Sequence, residues 1–126
     1  MPHMPLPHNH GQHIELNMDS LPDTEAFKIV SNLFKQLCDE SRIRIFWLLC
    51  HCEECVINLA AMMNMSSPAV SHHLRQLKDS GVVVSRREGK EVYYKAADTG
   101  QVKLLHSMIE TLMEISCPSE QEKQEG

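Results

Sequence analysis

Hydrophobic positions recur along this chain with two different periods, and the change of period divides it into elements. From Asp23 onward Phe27, Val30, Leu33, Phe34 and Leu37 recur at spacings of three and four, the mark of a helix with one apolar face, and Asp23 suits its N-cap. A break at Cys38-Asp39-Glu40-Ser41 precedes a second helix, about Ser41 to Cys50. It is apolar on most of its surface (Ile43, Ile45, Phe46, Leu48, Leu49), with Arg42 and Arg44 expected to face out. Residues 51–55, His-Cys-Glu-Glu-Cys, form a polar connection. A short third helix follows, Val56 to Met63, with Leu59, Ala60 and Met63 inward. Asn64-Met65-Ser66 is then a tight turn in which Asn64 is the residue best able to adopt the left-handed conformation.

The fourth helix has the clearest signals. Ser66 or Ser67 can cap it, Pro68 suits its first turn, Val70, Leu74 and Leu77 fall inward, and Gly81 stops it. The period then becomes that of strands: Val82-Val83-Val84, a basic turn Arg86-Arg87-Glu88-Gly89-Lys90, and Val92-Tyr93-Tyr94, which together read as a β-hairpin. Asp98 or Thr99 can cap a last helix to about Cys117, with a broad stripe of Val102, Leu105, Ile109, Leu112, Met113 and Ile115. A stripe that broad, closing so small a domain, is expected to pack on a partner chain as well as on its own core. A short helix, a tight turn, a capped helix and a basic hairpin make a winged helix-turn-helix, a mainly α fold with a small β-hairpin. Three regions follow: a flexible His-rich arm (1–19), the winged helix-turn-helix domain (20–117) and a disordered charged tail (118–126).

Charge changes the picture only when it is located. The net charge is −5, which argues against nucleic acid, yet residues 66–95 hold six Lys/Arg against three acids, leaving the remainder at −8. Phosphates respond to the local field. Ser66, Ser67, Ala69, Ser71, His72, His73 and Arg75 on the fourth helix are therefore candidate DNA contacts, as are Arg86, Arg87 and Lys90 on the hairpin. One of the two adjacent histidines packing locally, and the hairpin charges simply being solvated, are the plainer alternatives.

Five cysteines, three of them at Cys50, Cys52 and Cys55, fit metal or thiol chemistry in a reducing compartment better than a disulfide scaffold. No secretory signal or membrane-length apolar run is visible. Cys50 can equally be an apolar residue at a helix end, and Cys38 is expected in the core. Histidines cluster in the arm (His3, His8, His10, His13), as late-arriving metal ligands or as a solvated tail. An enzyme is not indicated. No His-Glu-x-x-His or phosphate-loop pattern is present, and His51-Cys52-Glu53 lacks the Pro-Cys-x-x-Cys that a zinc deaminase needs, so a metal-dependent hydrolase is the weakest reading.

Several stretches together carry a family resemblance over roughly residues 25–115. They are Leu33-Phe34-Lys35, Asp39-Glu40-Ser41-Arg42-Ile43-Arg44-Ile45, Cys55-Val56 with Leu59-Ala60, Ser71-His72-His73-Leu74, Arg86-Arg87-Glu88-Gly89-Lys90 and Val92-Tyr93-Tyr94. In these the chain resembles the ArsR/SmtB family of dimeric metal-responsive transcriptional repressors. The resemblance implies a cytoplasmic homodimer joined through its terminal helices. It implies binding to double-stranded operator DNA with an inverted repeat, and release by a metal ion so that efflux or resistance genes are expressed. One family metal site joins the start of the third helix to the arm. Its counterpart here is Cys55 with Cys52, completed by His8, His10 and His13, a donor set suited to Zn²⁺ or Cd²⁺ as inducer. Cys50 and His51 are weaker candidates, and Cys50, Cys52 and Cys55 together could instead take an arsenical. The second family site lies across the paired last helices. Asp98 matches its first ligand, but Gly100, Thr111 and Glu114 stand at the others, leaving His106, Glu110 and Glu114 as a shifted alternative. Some relatives sense sulfur through a dithiol, for which Cys50 and Cys117 are the candidates.

Overall fold

Asp39 shows how local chemistry starts this fold. Its carboxylate accepts from the Arg42 backbone N–H at 2.9 Å and opens helix α2, Glu40–His51. The computed structural model describes residues 6–8, 10, 11 and 21–116. His13, Cys117, most of the arm and the charged tail lie outside the described residues. The chain divides into two compact units, Met1–Asn32 and Leu33–Gly126, with the boundary inside helix α1, Thr24–Lys35.

In the first unit Asp23 accepts from the Ala26 N–H at 2.9 Å and caps α1, as expected. The apolar face read for this helix is present but open: Phe27, Val30 and Phe34 are each about half exposed, and no residue of α1 is buried.

The second unit runs α2, strand β1 (Glu54–Cys55), α3 (Val56–Met63), α4 (Ser67–Asp79), β2 (Val83–Glu88), β3 (Glu91–Ala96) and α5 (Gly100–Ser116). One core joins them. Ile45, Phe46 and Leu49 of α2 meet Leu59 and Met63 of α3, Val70, Leu74 and Leu77 of α4, and Val102, Leu105 and Ile109 of α5. These are the positions the helical period marked. Asn64 ends α3 in the left-handed conformation at φ 53°, ψ 49°, and its N–H returns to the α3 carbonyls.

Four expectations are corrected. First, the hairpin is part of a three-stranded antiparallel sheet, in the order β1-β3-β2. Part of the polar connection pairs at its edge, with Glu54 opposite Tyr94 and Cys55 opposite Tyr93. A two-residue strand carries no period, so only the partner strand reveals it. Second, the turn is shorter than read. Glu88 pairs with Glu91 across Gly89-Lys90, so Arg86 and Arg87 lie in β2 itself. Gly89, at φ 64°, occupies the first position of the turn, where a residue with a side chain would be strained. Third, Arg42 does not face out. Its guanidinium donates to the carbonyls of Gln36 at 2.9 Å and Lys35 at 3.2 Å, the cationic partner that a helix C-terminus favours. Fourth, Cys38 is exposed rather than in the core, its thiol donating to the Phe34 carbonyl at 3.3 Å.

The outer side of α5 remains apolar and open at Leu104, Leu112, Met113 and Ile115. A groove of about 630 Å³ runs between it and α2, floored by Trp47, Leu48 and Ile109. Among the described residues, no helix is long and apolar enough to cross a membrane.

Candidate nucleic-acid interface and metal ligands

Helix α4 is built to show one face. Ser66 Oγ accepts from the Ala69 N–H at 3.3 Å, Pro68 fills the first turn, and Gly81 at φ 81° follows the last. With Val70, Leu74 and Leu77 buried, Ser66, Ser67, His72 and Arg75 are exposed, and Ala69 and Ser71 half-buried. His72 meets Gln76 one turn on at 3.3 Å. Ser71, Arg75 and Lys78 border a cleft of about 430 Å³ that reaches Tyr94 of β3. Hydroxyl, imidazole and guanidinium groups on one helical side are the donors that base edges and phosphates accept.

His73 is placed differently from its neighbour. Its ring is half-buried, with Nε2 3.7 Å from the Asp39 carboxylate, and its Nδ1 is buried without a hydrogen-bond partner among the described residues. Burial holds its pKa below the ordinary value, against the opposing pull of Asp39. Residue 73 thus faces the start of α2, because α4 turns about 100° per residue and only one of two adjacent side chains can share the outer side.

The wing separates its basic residues by pairing and not by burial, since Arg86 is exposed as well. Arg87 and Lys90 are exposed. Arg86 donates through Nε and Nη2 to Glu53 Oε1 at 2.9 and 2.7 Å, and through Nη1 to Glu88 Oε2 at 2.6 Å. Its guanidinium also lies 4.8 Å from the centre of the Tyr93 ring. The hydrogen bonds it donates to Glu53 and then Glu88 raise its pKa further, and accepting from Arg86 lowers that of Glu53. Two carboxylates beside the guanidinium offset its field locally, so it attracts a phosphate less than an unpaired arginine would. Glu53, Glu88 and Tyr93 were missed as functional residues. Glu53 lies far from Arg86 in sequence, and no local signal couples them.

The predicted metal ligands are distributed over both units. His8 and His10 belong to the first unit, their rings stacked 5.9 Å apart. Cys52 ends α2, its thiol donating to the Leu48 carbonyl at 3.2 Å, and Cys55 sits half-buried on β1. Burial, then the Glu54 charge, raises the Cys52 pKa. Cys50 is half-buried against the core, and burial followed by the Glu110 charge pushes its thiol up to about 11. The neutral thiol favoured there weakens the arsenical and dithiol readings of Cys50. Asp98 pairs with Lys103 at 3.3 Å, both well exposed.

One group does converge. His51 at the end of α2 and His106 and Glu110 on α5 offer three ligand atoms that lie within 4.8 Å of one another. The sequence had grouped His51 with the cysteines and His106 with Glu110 and Glu114. The fold takes members of both sets, and Glu114 is not in the group. Burial disfavours the Glu110 charge, but hydrogen bonding and charge from His106, with Trp47 and His51 nearby, hold its carboxyl below the usual range.

The sequence model described as bacterial regulatory protein, arsR family, matches residues 39–85, from the cap of α2 into β2. A transcriptional repressor SmtB homolog from Synechocystis is 40% identical over 68% of this chain and 64% of its own length. The cadmium resistance transcriptional regulatory protein CadC of Listeria innocua is 47% identical over 52% of this chain and 56% of its own. This chain thus spans less than two thirds of either curated relative. Among solved structures, a homodimeric winged helix-turn-helix DNA-binding domain from Mycobacterium bovis, described as a possible ArsR-family transcriptional regulator, superimposes with a TM-score of 0.65. It is 29% identical and covers 75% of this chain and 88% of that one.

Proposed function

Because the chain belongs to the arsR family of bacterial regulatory proteins, we propose that it is a sequence-specific transcriptional repressor, a homodimer released from operator DNA by a thiophilic or borderline metal ion. The observation that carries this reading is the outer side of α4, where Ser67, His72 and Arg75 stand exposed beside a wing whose Arg87 and Lys90 are also exposed. The fold and family are those of DNA-binding regulators, not of enzymes. A second copy is the proposed cover for the open apolar side of α5, in keeping with the homodimeric relative. Two α4 helices related by a twofold axis would read an inverted repeat spaced by about one DNA turn or a multiple.

Cys52 and Cys55, with arm histidines His8, His10 and His13, are the proposed ligands for Zn²⁺ or Cd²⁺. Their position offers a route to the wing. Cys55 is opposite Tyr93, Arg86 lies over that ring, and Arg86 is held by Glu53 beside Cys52. An ion pulling on this segment would move the sheet edge that aims the wing. A tenfold loss of operator affinity needs only about 1.4 kcal/mol of such coupling.

The test starts with selection of duplexes from a random pool, then anisotropy titrations of the enriched DNA with and without Zn²⁺, Cd²⁺ and arsenite, repeated on Cys55→Ser. An inverted repeat should emerge, and Cd²⁺ or Zn²⁺ should weaken binding in the parent but not in the variant. Failure to enrich any sequence would refute the repressor reading. An unaltered response in Cys55→Ser would refute the ligand assignment.

A further inference from the structure

The geometry points to a divalent-cation site within one protomer, made by His51 Nε2, His106 Nε2 and Glu110 Oε1, that ties the end of α2 to the middle of α5. The three atoms form a closed triangle: 3.0 Å between the ring nitrogens, 2.7 Å from His106 to Glu110 and 3.3 Å from His51 to Glu110. Four ligands held tetrahedrally about 2.0–2.1 Å from Zn²⁺ are roughly 3.3 Å apart, so this triangle is close to one face of such a tetrahedron. It need open only slightly to admit the ion.

Protons alone serve the triangle badly. Each Nε2 carries either one hydrogen or one lone pair, and an ionised Glu110 brings none. Neutral rings therefore supply at most two hydrogens for three contacts. With both rings donating to Glu110, two N–H groups face each other at 3.0 Å. A single cation in the middle satisfies all three lone pairs at once. The rings are already held for this: Trp47 packs on His51 at 4.4 Å between ring centres, and the two imidazoles meet edge to face at 4.8 Å. His106 and Glu110 are one helical turn apart, so α5 presents both on one side without rearrangement.

The donor set names the ligand class. Two imidazoles and a carboxylate suit borderline ions such as Zn²⁺, Co²⁺ or Ni²⁺, and suit arsenicals or Cu⁺ poorly. The fourth position is left to water, since the described residues add no other His, Cys, Asp or Glu to the group. The site differs from the cysteine segment. It also differs from a site shared between the last helices of two protomers, because His51 comes from α2 of the same chain. Its consequence rests on the repressor reading, though the site itself does not. Helix α2 packs on α4, and α5 carries the proposed dimer face. An ion clamping the two helices would set the angle at which α4 is presented.

The test is titration of the full-length protein with Co²⁺ alone, followed optically, and then competition with Zn²⁺. Four proteins are compared: the parent, Cys52→Ser/Cys55→Ser, and that double variant carrying in addition either His51→Asn or Glu110→Gln. The last two replace exposed side chains. In the cysteine variant one Co²⁺ per protomer should bind with ligand-field bands and no thiolate charge-transfer band. With His51→Asn or Glu110→Gln added that spectrum should be lost, with affinity falling by more than the roughly 10–100-fold typical of losing an outer-shell partner. Unchanged Co²⁺ spectra and affinity in both of these variants would overturn the site. So would a thiolate charge-transfer band in the Cys52→Ser/Cys55→Ser variant, or no binding by that variant. Operator titrations of the Cys52→Ser/Cys55→Ser variant separate the two readings: ion binding at the triangle with no change in DNA affinity supports the site and counts only against its coupling to α4, leaving release through the cysteine segment to the Cys55→Ser comparison.

Discussion

The outer side of α4 and the base of the wing carry similar side chains to different ends. On α4, Arg75 and His72 project from a helix whose inner side is locked by Val70, Leu74 and Leu77, and Arg75 is exposed. On the wing, Arg86 looks equally available in sequence, yet it is held between Glu53 and Glu88 and laid over Tyr93. The contrast comes from where the compensating acids arise. Around Arg75 the same helix face offers one acid, Asp79, a turn on and bordering the same cleft, and among the described residues no ion pair joins the two. Around Arg86 one comes from two residues on along the same strand and the other from a segment that folding brings alongside. A count of basic residues therefore overstates the field the wing offers to DNA. The same pairing makes Arg86 the link between the cysteine segment and the sheet.

The contrast breaks most severely if the inner side of α4 is removed. Leu74→Ala should cost about 2–5 kcal/mol of stability, the usual range for a buried leucine, and urea unfolding measures it directly. DNA binding would fall only in proportion to the folded fraction. Arg75→Ala, one residue on, should do the opposite. Stability should change by no more than about 0.5 kcal/mol, while affinity for the selected duplex falls by about 1–3 kcal/mol if Arg75 reads a base. Equal losses on specific and random DNA would mark it as a phosphate contact instead.

The two wing arginines sharpen the comparison at a smaller scale. Arg87→Ala should reduce the slope of log affinity against log salt by about 0.9, the value for one phosphate contact. Arg86→Ala removes the same formal charge but should change the slope less, because two carboxylates already answer that charge. Glu53→Gln should raise the slope by freeing Arg86. Equal slopes for the two arginine variants would show that the ion pairs do not survive on DNA.

How far the sequence could be read follows from the range of each interaction. The helices, the Asp23 and Ser66 caps, the left-handed Asn64 and the inward residues of α3 and α4 all rest on neighbours within about one turn, and they were legible. What escaped was set across the fold. Strand β1 exists only because β3 lies beside it. Arg42 turned inward because the end of α1 needs a cation. Arg86 met Glu53, and His51 met His106 from another helix. The cysteines have the most distinctive spacing, whereas the convergence of ligand atoms among the described residues is made by one imidazole from α2 with an imidazole and a carboxylate from α5.

The smallest expected effect concerns the two adjacent histidines. Burial, reinforced by the charges of Arg42 and His72 and opposed by Asp39, holds the folded-state pKa of His73 below its ordinary 6.5. As pH falls through 6.5 the unfolded chain takes up a proton at residue 73 that the native state resists, so the unfolded state binds more protons and stability falls. The loss continues until pH drops below the folded pKa, where both states are protonated. Asp39 contributes only lower still. Its pKa lies below 3.8 because the Arg42 N–H donates to it, so its stabilisation is present above that value and disappears on further acidification. Unfolding free energies measured between about pH 7.5 and pH 5 should therefore decline less steeply in His73→Gln than in the parent. His72→Gln, altering the exposed ring, should leave the slope of the parent nearly intact while weakening operator binding. If the two substitutions exchanged these effects, the inward and outward assignments on α4 would be reversed.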